Sequence, residues 1–255
     1  MNLADYIFER KKQRDILLMT HIVVGYPSLA ASLELVDAMV EAGVDLMELQ
    51  IPFSEPIADG PVILHANQEA LKLGIKVNDC FEFAAKVTRR HSIPFLFMSY
   101  YNVLFRRGVA TFAARSAEVG VRGAIVPDCP PEEATEYVDA MRKHELAPVF
   151  IFSPRTPTER LALLGKAGDG FVYAVARKGV TGQDTEFSDD LAQYLARCRA
   201  ATSLPLAVGF GLRSPKDVDF LRSKADIAVV GTESLRLLEK SGVRAVGNFL
   251  ATLRG

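Results

Sequence analysis

Short, uninterrupted apolar runs alternate with amphipathic stretches from one end of the chain to the other. The runs are LLMTHIVV (17–24), LMELQIP (46–52), PFLFMSYY (94–101), GAIVP (123–127), APVFIFS (147–153), GFVYAVA (170–176), PLAVGF (205–210) and IAVVG (227–231). A strand with one wet face alternates apolar and polar residues, so a run without alternation reads as a strand buried on both faces. Between the runs, SLAASLELVDAMVEAG, CFEFAAKVTRRH, PEEATEYVDAMRKHE and DDLAQYLARCRAA repeat apolar residues at spacings of three and four, with Gly or Pro punctuating their ends. That is the period of a helix with one apolar face. Eight such strand–helix units in 255 residues predict an α/β fold, a (β/α)8 TIM barrel, as a single domain over residues 1–255. An open doubly wound sheet is the architectural alternative.

Two segments exceed the minimal barrel. ADYIFERKKQ predicts an extra N-terminal helix before the first strand, placed to plug the barrel's N-terminal mouth. An enlarged loop after strand 2, between Pro52 and the helix near Cys80, carries its own helical piece, VILHANQEALKLG. Barrels carry their chemistry on the loops that follow the strands, so this enlargement marks the active face.

Composition narrows the function classes. Thirty basic against thirty-one acidic residues leave a net charge of −1, which argues against general binding of nucleic acid or of an anionic membrane surface. The three cysteines, Cys80, Cys129 and Cys198, are far apart and form no CxxC pair, so neither a disulfide framework nor a structural metal site is expected. MNLADYIFERKKQRD lacks the apolar core of a signal peptide, and no apolar run reaches the ~18 residues of a membrane span. The expectation is a soluble, cytoplasmic protein.

The candidate chemistry begins in ELQIPFSEPIADGP (48–61). Glu48 falls inside a run meant for the interior, where a carboxylate must be paired, neutral or useful. No Lys or Arg in another strand interior offers it a salt bridge. Asp59 lies in the following loop, which Pro52, Pro56 and Pro61 stiffen; it reads either as a positioned acid or as the N-cap of the next helix. Glu55 reads as a solvated or partner-facing charge. Glycines follow strands 7 and 8 in AVGFGLRSP and VVGTESL, where barrels commonly bind phosphate through backbone amides at a helix N-terminus. Gly209, Gly211, Gly231 and Thr232 are the candidates there. ARKGVTGQDTEF, after strand 6, is long enough to act as a lid hinged at Gly179 and Gly182, or to be a plain surface loop. His21, on strand 1 near the pocket, and His65, on the inserted helix, read as ordinary core or surface histidines.

In this order, ELQIPFSEPIADGP, YYNVLFRRG, RKGVTG, GFGLRSP and VVGTES resemble the tryptophan synthase α-subunit family over essentially the whole chain. The resemblance implies retro-aldol cleavage of indole-3-glycerol phosphate to indole and glyceraldehyde 3-phosphate. It implies that Glu48 carries the proton and that Asp59 stabilises the charge on the protonated ring. It also implies an indole pocket of Tyr100, Ile151 and Tyr173, and a phosphate site of Phe210, Gly211, Gly231, Thr232 and Gly182, with Thr181 meeting Asp59 when the lid closes. The family works with a β subunit that carries pyridoxal phosphate, so no cofactor is expected in this chain. Glu55, Asn102 and the Asp128–Pro130 turn would face that partner. A stand-alone lyase, and a barrel that mainly activates its partner, are the alternatives. Gln50 departs from the family's Gly. Period-2 geometry puts it on the same side of the strand as Glu48, where its amide is expected to donate to the acid; the alternative is that it points toward a neighbouring helix. Glu55, Ala176, Thr232 and His21 depart more mildly.

Overall fold

The computed structural model describes residues 1–175 and 189–254. The strands are β1 (Leu17–Val23), β2 (Leu46–Gln50), β3 (Phe95–Met98), β4 (Gly123–Ile125), β5 (Ala147–Phe152), β6 (Val172–Val175), β7 (Leu206–Gly209) and β8 (Ile227–Val230). The helices, in chain order, are α1 (Leu3–Lys11), α2 (Leu29–Glu41), α3 (Pro61–Lys72), α4 (Val77–Arg90), α5 (Tyr101–Arg107) and α6 (Val109–Glu118). They continue with α7 (Thr135–Lys143), α8 (Thr158–Ala167), α9 (Asp189–Ala201), α10 (Pro215–Leu221), α11 (Thr232–Ser241) and α12 (Val243–Arg254). Each strand pairs in parallel with the next, and β8 pairs back onto β1, closing the barrel. The apolar runs, the N-terminal helix and the inserted helix α3 all lie where the residue pattern predicts them.

Closure divides the apolar residues by strand parity. Leu17 and Met19 of β1, Leu46 of β2, Leu96 and Met98 of β3, and Val149 of β5 belong to one buried cluster inside the barrel. Their neighbours Leu18, Met47, Leu49, Phe95 and Phe97 belong to a second cluster, between barrel and helices. Successive side chains of a strand point to opposite faces, so every strand must be apolar on both. The uninterrupted runs have this cause.

α1 closes the N-terminal mouth. Asn2 caps it by accepting from the Asp5 amide at 2.8 Å, and Leu3 and Ile7 on its inner face join the barrel-interior cluster. Behind them Asp45, fully buried at the entry to β2, accepts from the Leu18 amide at 2.9 Å and from Arg10 at 3.1 Å. Arg254 of the last helix also bonds it, and Arg14 lies 3.4 Å away. One carboxylate thereby ties the first helix, two strands and the last helix together.

Candidate active site

At the other mouth, polar side chains replace the apolar filling. Alternation along β2 sends Leu46, Glu48 and Gln50 inward, and alternation along β1 does the same for Leu17, Met19 and His21. The parallel register sets His21 directly beside Glu48. Both are buried, and His21 Nδ1 lies 3.0 Å from Glu48 Oε2. The acid therefore does have a basic partner, and the histidine that sequence reasoning placed near the pocket but read as packing bonds the acid directly. Its alternation with Leu17 and Met19 was the available signal. Glu48 Oε1 makes no hydrogen bond among the described residues.

Gln50 does not do what was expected of it. Its Nε2 donates to Asp59 Oδ2 at 2.7 Å, rather than to Glu48. The reason is the path of the loop. After Pro52 the chain turns back over the barrel rim, and Asp59 returns above the end of its own strand. Tyr100, fully buried after β3, donates its hydroxyl to the same Asp59 oxygen at 3.0 Å and accepts from the Ala58 amide at 3.1 Å. The tyrosine ring stacks on Phe53 at 5.1 Å between centroids. Asp59 is not a helix N-cap: Gly60 holds that position, without a side-chain cap. Sequence reasoning also missed Asn67. This buried residue of α3 accepts from the Phe53 amide at 2.9 Å, so the loop is sewn to its helix as well as stiffened by proline.

These contacts set the electrostatics. Burial on its own would lower the pKa of His21, but the hydrogen bond and charge of Glu48, with the charge of Asp59, outweigh it and the net shift is upward. Burial raises that of Asp59; the His21 charge and the hydrogen bonds from Gln50 and Tyr100 oppose the rise without cancelling it. Tyr100 is raised too, by burial and then by the Asp59 charge, so it stays a donor.

The other candidates surround this pair of acids. Ile151 and Tyr173 are register partners on β5 and β6, half-buried, and pack against the barrel-interior cluster. A Cβ on Gly209 would fall 2.8 Å from the Tyr173 hydroxyl, so the glycine makes room for that ring. Phe210 is buried at the end of β7, and Gly211 has φ +85°, a conformation that side chains disfavour. Gly231 caps α11 without a side-chain bond and Thr232 opens that helix, leaving its first amides for another acceptor. β7 and β8 are adjacent, so both turns share one end of the site. Gly179, Thr181 and Gly182 lie outside the described residues. Glu55 and Asn102 are exposed, His65 is exposed on α3, and no cluster of metal-ligating residues occurs among the described residues. The site can therefore hold an apolar ring between Tyr100, Ile151 and Tyr173, an anion at the two glycine turns, and two carboxylates beside them.

Comparison with known proteins shows which family and which solved structures the chain resembles. A family model described as "Tryptophan synthase alpha chain" matches residues 8–249. The tryptophan synthase alpha chain of Syntrophotalea carbinolica is 60% identical over 252 residues, covering 99% of this chain and 100% of that one. A tryptophan synthase chain from M. tuberculosis superposes with a TM-score of 0.91 at 29% identity, over 99% of this chain and 96% of that one. A chain from the tryptophan synthase complex of Pyrococcus furiosus gives 0.85 at 31% identity, over 93% and 97%.

Proposed function

Because this chain belongs to the tryptophan synthase alpha chain family, we propose that Glu48 and Asp59 are the residues through which it performs the family's lyase reaction. That reaction splits indole-3-glycerol phosphate into indole and glyceraldehyde 3-phosphate, a step of tryptophan biosynthesis. Cleavage needs a proton delivered to C3 of the indole ring and a proton taken from the adjacent side-chain hydroxyl. Glu48 performs both, with Oε1 as the working oxygen, since Oε2 is engaged by His21. Asp59 accepts from the ring nitrogen and balances the positive charge that protonation creates. Its raised pKa keeps it less readily ionised than an exposed aspartate, and the Gln50 and Tyr100 bonds counter this.

The observation that carries the reading is the division of labour between the two acids. Each is held by separate neighbours at the same mouth of the barrel, His21 for one and Gln50 with Tyr100 for the other. Tyr100, Ile151 and Tyr173 form the indole pocket. Phe210, Gly211, Gly231 and Thr232 hold the phosphate, with Gly182 assigned to the same end, and Thr181 to Asp59, by family resemblance.

The chain works with a β subunit, which carries the pyridoxal phosphate; this chain brings no cofactor of its own. Ile57 and Phe105 are 81% and 67% exposed on the rim segments that also carry Glu55 and Asn102, and we place the partner there. No helix among the described residues is long and apolar enough to cross a membrane, and we assign the enzyme to the cytoplasm. The test is turnover of indole-3-glycerol phosphate with and without the β subunit. Glu48→Gln should lower it by on the order of 10²–10⁴ with the fold intact. Asp59→Asn should impair it severely. Near-normal turnover in Glu48→Gln would refute the assignment.

A further inference from the structure

His21 is a buried, titratable group whose only part in the reaction as described is to occupy Glu48 Oε2. It faces Glu48 across the β1–β2 pairing, ring to carboxylate, at 3.0 Å. Its other side faces the turn after β8. A methyl group on Gly231, at the end of neighbouring β8, would sit 3.5 Å from the His21 Cβ. The ring thus stands between the proton-carrying acid and the turn assigned to phosphate. Nδ1 makes the ring's hydrogen bond to Glu48, and Nε2 has no hydrogen-bond partner among the described residues.

We propose that His21 is a positioning residue for Glu48: it carries a proton on Nδ1 and donates it to Oε2, leaving Oε1 aimed at the substrate. This rests on the assignment of Glu48 as proton carrier. The tautomer follows from the carboxylate, which when ionised accepts hydrogen bonds and has none to give. An unprotonated Nδ1 would face it lone pair to lone pair.

The cycle then balances. The Oε1–H bond breaks as C3–H forms. The carbon–carbon bond cleaves with its electron pair returning to the ring, the hydroxyl becomes a carbonyl, and its proton restores Oε1–H. Between these two transfers Glu48 is an anion, and the Nδ1–H bond to Oε2 is then charge-assisted and strongest. His21 therefore favours the charged intermediate over either neutral end state, and does so without touching the substrate.

Three proteins and one spectrum test this. His21→Phe fills the space but has no donor; His21→Asn puts an amide nitrogen near the place of Nδ1. His21→Phe should lose turnover on the order of 10²-fold, the scale of a misplaced catalytic group, with KM nearly unchanged. His21→Asn should recover most of the loss. Wild-type turnover in His21→Phe, or equal loss in both variants, would overturn the proposal. Should His21→Phe fail to fold, the nitrogen spectrum of the histidine-labelled wild-type protein decides independently. A protonated Nδ1 on His21 at neutral pH supports the proposal, and an unprotonated Nδ1 refutes it. Glu48→Gln is assayed in parallel. If that variant is dead while His21→Phe is fully active, the proton carrier stands and the role of His21 falls; if Glu48→Gln is active, the underlying assignment is what fails.

Discussion

The two mouths of the barrel each bury a carboxylate at β2, and they treat it in opposite ways. Asp45, at the N-terminal end, has both oxygens occupied, by the Leu18 amide and by arginines from the N-terminal region and the C-terminal helix. Glu48, three residues on at the C-terminal end, has one oxygen bonded to His21 and the other without a partner among the described residues. Gln50 Oε1 and His21 Nε2 are likewise buried and unmatched. A buried polar atom left unmatched costs about 1–3 kcal/mol. Such atoms occur at both mouths, since Nε of Arg10 and of Arg254 is also unmatched among the described residues, but only at the C-terminal mouth does one belong to the carboxylate. Saturated pairing makes Asp45 a brace, and incomplete pairing leaves Glu48 a reactive group.

If that contrast is right, the two acids fail differently. Asp45→Ala leaves Arg254 and two half-exposed arginines without their counter-charge. Unfolding in urea should show a loss of about 3 kcal/mol, the low end for breaking a buried pair because the arginines keep some solvent. Turnover per folded molecule should hold. Glu48→Gln should show the reverse, stability within about 1 kcal/mol of the parent and turnover nearly gone. Comparable stability losses in both would erase the distinction.

A smaller effect probes the glycine turns. Gly211→Val forces a branched side chain into φ +85°, a strain of roughly 1–3 kcal/mol, and crowds the backbone amides. Binding of indole-3-glycerol phosphate should weaken on the order of tenfold, while binding of indole, which has no phosphate, should change little. Titration with both ligands separates a lost phosphate site from a damaged barrel, which would weaken both.

The finest test concerns Gln50. Its bond to Asp59 favours the charged acid, opposing the upward shift that burial imposes. Gln50→Ala removes that bond, so the pKa of Asp59 should rise further. Because the reaction needs Asp59 ionised, the acidic limb of the pH–rate profile should move to higher pH. An acidic limb that stays in place would mean that Gln50 only fills space.

Much of this molecule is legible in the order of its residues. Strand and helix periods, the double burial that demands uninterrupted apolar runs, and the extra helix at the N-terminus are local properties of short segments. The acid in an apolar run and the glycines after β7 and β8 announce themselves in the same way. What only the tertiary structure decided is partnership. His21 and Glu48 are far apart in the chain, and they meet because the parallel register of β1 on β2 sets one opposite the other on the inward face. Gln50 shares a strand face with Glu48, as alternation requires, yet its amide bonds Asp59, because the loop carries that acid back over the strand end and Tyr100 holds it there. Alternation assigns a side chain to a face. The choice of partner on that face depends on register between strands and on the return path of a loop, and both are settled by long-range packing.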